Sequence, residues 1–500
     1  MEKQHKYTHL IFGISVFLFF TNCSNEFLDE NPKATITSSN YYQTEGDAVA
    51  ATNAIYDYLT VGTDPIFDPR FGGIFFNNYW VFKDLLSDNA FEAGSGAEYS
   101  SLSQFKFNSD NPQIEYYWQD LYRTIFSANV VIGRVPQINM DEMKRDHLVS
   151  EARFIRAMMY FEGVRLFGGV PLILNEITNV DDAAIARNTP EEVYQAIIDD
   201  LEYSRDHLSN SYRVGEGRAT PLACSSLLAK VYLEMGSYDL AAQQAKAVID
   251  SGEYELWQDY ADIFKLDNAN EKEVIFAANF SGTQSQGFKP NQYHVRLLPS
   301  GLDQNGEGPR NGFGLERPTD NLFNSYNPLD RRKSATFITS FTYSDNTTVN
   351  FDPHFGKFWD QVAEPRGNNT DVDVIYLRYA DVLLIYAEAL NELNGTPNSE
   401  AYWAINEIRK RARFNGTTSL LILPDLSGLS YDEFRNAILL ERRWEFAMEG
   451  QRFHDLVRFG KLIDKVTGKD NATPNSFHEL LPIPQRERNL NSNLTQNNGY

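Results

Sequence analysis

A densely charged string, "ERRWEFAMEGQRFHDLVR", occupies residues 441–458. Its Glu441, Arg442, Glu445, Glu449 and Arg452 recur at three- and four-residue steps. That spacing places them along a helix, where ion pairs and carbonyl contacts tie one helix to its neighbour. Arg153, Arg156 and Arg165 beside Glu151 and Glu162 follow the same pattern. Catalysis would require convergent groups, and the motifs that announce them are missing. The 8 histidines include no metal-binding pair beyond the first residues, no H-E-x-x-H occurs, and 2 cysteines cannot build a thiolate zinc site. Asp371 and Asp373 lack the spacing of a calcium loop. "GEGPRNG" (306–312) has one residue too many for a dinucleotide fingerprint and no strand before it. Among 68 acidic residues a glycosidase pair stays open, because such pairs are set by spatial separation and not by a local motif. No catalytic residue, metal ligand or cofactor is assigned.

The totals point the same way. A formal net charge of -23 opposes nucleic acid, whose phosphates call for clustered Lys and Arg. The chain of 500 residues can bury a large core without disulfide staples. Cys224, within "RATPLACSSLLAKVYL", reads as a small buried hydrophobe on an amphipathic helix. Cys23 has a different setting. Lys3 and Lys6 precede the apolar run "LIFGISVFLFF" (10–20), which is too short to span a bilayer and has the layout of an export signal over residues 1–22. A cysteine three residues past that run suggests a lipoprotein signal, with Cys23 lipidated and 23–45 serving as a tether. Phe20, Thr21 and Asn22 depart from the usual residues before such a cysteine. Asn22 therefore leaves the efficiency of processing open.

Helical periodicity dominates the remainder. It predicts helices over 47–60, 113–134 and 141–167, and another opening at "NTPEEVYQ", where Thr189, Pro190 and Glu192 form an N-terminal cap signature. The aromatic stretch between the first two has no clean period and reads as loops with short turns. "SLLAKVYLEMGSYDLAAQQAKAVIDSG" carries the spacing of a tetratricopeptide helix pair, with further pairs expected over 378–412 and 431–462. Residues 280–377 lose the helical period, too long a segment for one linker, and read as a loop-rich excursion with a hairpin around "ATFITSFTYSDNTTVNF".

Taken in order, "EARFIRAMMYFEGVRLFGGVPL", "LRYADVLLIYAEALNE", "ERRWEFAMEGQRFHDLVRFG" and the closing "LLPIPQRERNLNSNLTQNNGY" resemble the SusD-like (RagB/SusD) outer-membrane nutrient-binding lipoproteins. Asn498 stands where that family usually has a proline. The resemblance implies a mainly α SusD-like fold, with tetratricopeptide-like helix pairs packed against a loop-rich ligand-facing half. It divides the chain into an N-terminal helical region (46–279), the excursion (280–377) and a C-terminal helical region (378–500). It further implies a lipid anchor at the outer face of the outer membrane, a SusC-like TonB-dependent transporter as partner, and a nutrient ligand. A glycan is the first expectation, and a peptide or other nutrient is the alternative.

Sugar rings have apolar faces ringed by hydroxyls, so a glycan site needs flat aromatics together with hydrogen-bonding side chains. Composition and position select two loops. "DPRFGGIFFNNYWVFKD" offers Arg70, Asn78, Tyr79 and Trp80, and the stretch from Gln286 to Pro318 offers Tyr293 and Phe313. Core packing and the transporter interface remain the alternatives for each residue.

Overall fold

The computed structural model describes residues 41–60, 73–94, 96–209, 217–281, 291, 293–303, 307–308, 312–360, 370–415 and 421–500. The export signal and Cys23 lie outside these residues, as do most of the tether and Arg70. The protein is mainly α. Helix α1 (Glu45–Thr60) precedes the pair α2 (Pro112–Arg134) and α3 (Glu142–Phe167). Asn111 and Asp141 cap that pair by accepting from the backbone N–H groups of Gln113 and Lys144. Helix α4 (Pro190–His207) opens with the expected cap: Thr189 and Glu192 exchange side-chain and backbone hydrogen bonds, and Pro190 occupies the first turn.

The tetratricopeptide-like pairs follow. Helices α5 (Pro221–Glu234) and α6 (Tyr238–Ser251) pack together, and α6 packs on α7 (Tyr379–Asn394), which in turn packs on α8 (Ser399–Ala412). The helical stack therefore runs straight across an insertion of more than a hundred residues. Strands β1 (Val274–Ala278) and β2 (Val374–Arg378), both wholly buried, pair antiparallel at the base of that insertion. Cys224 is buried in α5, as its helical setting predicted, and burial pushes its thiol far above the ordinary range.

Two segments differ from the sequence expectation. The first is 73–86, read as loops, where helical turns of the wider π type occupy Ile74–Asn78 and Val81–Leu85. A π turn takes more residues than an α turn, so its buried aromatics miss the three- and four-residue spacing that marks an ordinary helix. The second is 431–462, where the expected helix pair is α9 (Tyr431–Glu445) followed only by the short α10 (Arg452–Arg458). The chain breaks between them because Met448 (φ 63°) and Gly450 (φ 68°) adopt left-handed backbone. At Gly450 a Cβ would lie 2.5 Å from the Tyr79 ring. Gly450→Ala is accordingly expected to cost about 1–3 kcal/mol, read as a lowered thermal unfolding midpoint.

The break turns the charged string inward. Arg378 at the end of β2 reaches Glu273 (2.8 Å), Glu445 (2.6 Å) and Glu449 (2.7 Å). Arg411 of α8 bridges Glu273 (2.8 Å) and Glu445 (2.5 Å), and Arg332 reaches Glu441 (2.6 Å). All of these side chains are buried. The string is thus structural, as its spacing suggested; Arg458 and Asp455 pair within α10 (2.9 Å), and its other ion pairs run between elements. They lock the insertion onto the helical stack. On the other side of the core, Glu162 accepts from Tyr117 (2.8 Å) and Tyr376 (3.0 Å) and pairs with Lys83 and Arg165.

Within the insertion, the predicted hairpin forms as β3 (Phe337–Thr342) and β4 (Thr348–Phe355). A further two-stranded ribbon joins Ala90–Glu92 to Glu316–Pro318, with Phe91 opposite Arg317. This ribbon packs beside the hairpin and pins the middle of the insertion to the N-terminal region.

Candidate functional site

The structure does bring the two chosen loops together, but inside the protein. Trp80 and Tyr293 meet edge to face with ring centroids 5.4 Å apart, and Tyr79 lies beneath the Lys83 ammonium at 3.4 Å. Their exposures are 0% for Trp80, 1% for Tyr79 and 2% for Tyr293. A ring without an exposed face has none to offer a sugar. These three side chains are core, the first alternative left open for them, because the π turns rotate this aromatic stretch inward. Asn78 closes one of those turns. Phe313 is different: it is 45% exposed. Its backbone N–H donates to the Val295 carbonyl (2.6 Å), so the ring stands as an outer layer over the short helix that carries Tyr293.

Around Phe313 the hairpin supplies further rings. Gly314 (φ 60°) passes so close to His354 that a Cβ would sit 3.1 Å from its Nε2. His354 meets Phe351 at 5.8 Å, and Phe341 meets Tyr343 at 4.9 Å and Trp359 at 5.8 Å. Phe341, Phe351 and Trp359 are all half-buried. Half-buried rings keep one face or edge toward solvent while packing fixes their orientation.

Below the ribbon, a cleft of about 1100 Å³ opens between the ribbon, the hairpin, α9 and residues 464–470. Its apolar wall comprises Phe91, Pro318, Pro353, Leu439 and the exposed Leu440. Thr319, Asn321, Asn436 and Thr467 add neutral hydrogen-bonding groups. The floor is rigid. Arg452 grips Asp88 with two hydrogen bonds (2.7 and 3.0 Å), while Arg443 donates to Asn89 (3.0 Å), Asn321 (2.8 Å) and the Asp88 carbonyl (2.9 Å). Burial alone would raise the Asp88 carboxyl, but Arg452 and Arg443 outweigh it and hold Asp88 below the usual carboxylate range.

Apolar patches interleaved with neutral polar groups and with acidic and basic side chains in equal number, on a fixed floor, suit a polyhydroxylated ligand bound without covalent chemistry. Burial pushes two carboxyls, Asp84 and Glu316, up to about 7, but Asp84 is sealed in the core where it accepts from the Gly450 N–H (2.9 Å), which leaves Glu316. It is fully buried and paired with Arg296 (2.9 Å), so it serves the ribbon and is closed to a ligand. Among the described residues no group of three or more His, Cys, Asp or Glu could hold a metal ion. Sequence reasoning overlooked Phe91, Arg317, Phe341 and Trp359. The hairpin's period-2 alternation was the available signal for Phe341, whereas Phe91 and Arg317 are joined only by strand pairing.

Residues 342–500 match the family model described as the SusD family, and residues 26–233 match one described as starch-binding associating with outer membrane. The starch-binding protein SusD of Bacteroides thetaiotaomicron is 25% identical over 468 residues, spanning 80% of this chain and 81% of that one. A solved laminarin-binding SusD-like protein superposes with a TM-score of 0.76 at 25% identity, covering 92% of this chain and 100% of the other. A SusD-like protein of Formosa agariphila is 30% identical over 525 residues, covering 100% of both chains. With both helical regions matched and the likeness extending end to end, the chain belongs to the SusD-like family.

Proposed function

We propose that this protein is a surface lipoprotein of the outer membrane that binds an oligosaccharide or polysaccharide and passes it to a SusC-like TonB-dependent transporter. The observation that carries the reading is the cleft, with its apolar and hydrogen-bonding lining, together with the exposed Phe313 ring carried by the same insertion. Relatives of comparable length that bind starch and laminarin support the ligand class. Relatives named for two different glycans leave the identity of the sugar to the site itself. Cys23 supplies the anchor. Among the described residues no helix is long and apolar enough to cross a membrane, which accords with attachment through a lipid.

Native gel electrophoresis of the mature protein through a panel of embedded polysaccharides tests the binding step. Retardation by at least one glycan is expected, with Phe313→Ala weakening it about tenfold, the loss of one stacking face worth roughly 1–1.5 kcal/mol. Free mobility in every glycan, together with binding to a peptide mixture, would replace the glycan with a peptide ligand. The anchor has its own test: Cys23→Ala is expected to move the protein from the membrane fraction to the soluble one, and continued membrane fractionation would sink the assignment.

A further inference from the structure

Two cations on the cleft wall have hydrogen-bonding capacity that the protein does not use. Arg317 pairs with Asp352 at 2.9 Å, but Asp352 is 79% exposed, and the buried Nε of Arg317 has no partner among the described residues. The guanidinium is held 5.8 Å from the Phe91 ring, which limits its freedom to turn away. Lys469 is half-buried and donates to the carbonyls of Leu85 (2.5 Å) and Ala90 (3.0 Å), which occupies two of its three N–H groups. No carboxylate comes within ion-pair distance of it among the described residues. Burial pulls this ammonium down to about 7, and Asp470, Asp88 and Asp84 restore it only in part. Both side chains lean on consecutive residues of one strand, Lys469 on Ala90 and Arg317 on Phe91. Both residues line the same cleft.

The other two arginines of the cleft are spent. Every guanidinium nitrogen of Arg443 and Arg452 already donates within the protein, to Asp88, Asn89, Asn321 and Leu439. At the mouth, Asp320, Asp352 and Asp464 are exposed carboxylates. They disfavour a polyanion with a charge on every unit and leave Arg317 as the guanidinium whose own partner is exposed.

Resting on the glycan reading above, we infer that the cleft selects oligosaccharides carrying isolated acidic groups, a uronate carboxylate or a sulfate ester, on an otherwise neutral chain. The acidic group takes the place of the exposed Asp352 at Arg317, with Lys469 lining the same cleft. A planar fork offered to an oxyanion is the geometry in which arginine discriminates best. The neutral units before and after it lie along Leu439, Leu440 and Phe91.

Matched pairs of oligosaccharides distinguish this inference from the reading beneath it. Suitable pairs are partly de-esterified against fully methyl-esterified homogalacturonan, and sparsely sulfated against desulfated galactan, titrated calorimetrically into the mature protein at low and high salt. For at least one pair the acidic member is expected to bind tenfold tighter or more, with that preference shrinking as salt rises. Arg317→Gln is expected to reduce the acidic-to-neutral ratio toward one. Which pair responds separates carboxylate from sulfate. Lys469→Met also releases the carbonyls that Lys469 holds, so the salt dependence of the wild type serves as the independent readout. Equal or weaker binding of the acidic member in every pair overturns the inference and leaves glycan binding standing. Failure of both members of every pair, alongside free mobility in the polysaccharide panel, overturns both.

Discussion

Trp80→Ala is expected to lower the stability of the protein by about 3–5 kcal/mol, where Phe313→Ala stays within about 0.5 kcal/mol of wild type. Both are aromatic residues from the loops that composition marks as glycan-facing, and the difference comes from their surroundings. Trp80 is fully buried against Tyr293, with the Arg296 guanidinium 5.2 Å from its ring. Its removal leaves a cavity bounded by π turns and ion pairs that cannot collapse around it. Phe313 loses contact mainly with solvent. Thermal unfolding followed by circular dichroism reads the first effect, and glycan retardation at a temperature where both variants remain folded reads the second. If Trp80→Ala unfolded at the wild-type midpoint but failed to bind glycan, the assignment of Trp80 to the core would be wrong.

Arg378→Met should be comparably damaging, at about 3–5 kcal/mol, for an electrostatic reason. The substitution removes the cation shared by Glu273, Glu445 and Glu449, all buried. What remains is desolvated negative charge with fewer partners. Replacing those three glutamates by glutamine in the same variant should recover part of the loss, because the amides no longer demand a counter-charge. The pH dependence has a definite sign. Burial alone would raise Glu445, but Arg411, Arg378 and Arg332 outweigh it and hold its carboxyl well below its ordinary value of 4.5. A depressed folded-state value contributes stability above the ordinary value and loses it as pH falls further. The wild-type advantage over Arg378→Met should therefore be full at pH 6–8 and narrow below about pH 4.5. A gap that persisted unchanged at pH 3 would contradict the ion-pair account.

The long helices were legible from sequence because each carries its own evidence: an apolar period, a capping residue, a terminating glycine. Thr189 and Glu192 announced α4, and Gly168 ended α3. The hairpin at 337–355 was legible for a similar reason, since β3 and β4 are close in sequence. Strand alternation also distinguishes them from the surrounding loops. The segment 73–86 was not, because π turns break the spacing that identifies a helix.

By itself, the sequence determined the helical scaffold, the structural character of the charged string and, through its ordered motifs, the family. Those properties depend on residue types at short separations, where backbone geometry leaves little freedom. Only the tertiary structure decided which aromatic rings face solvent and where the cleft lies. Phe91 meets Arg317 through a strand pairing more than two hundred residues apart, and Lys469 reaches the same strand from near the end of the chain. Exposure is a property of everything packed around a side chain. A Trp and a Phe in similar loops therefore reach opposite fates, one sealed beneath an arginine and the other left open to solvent.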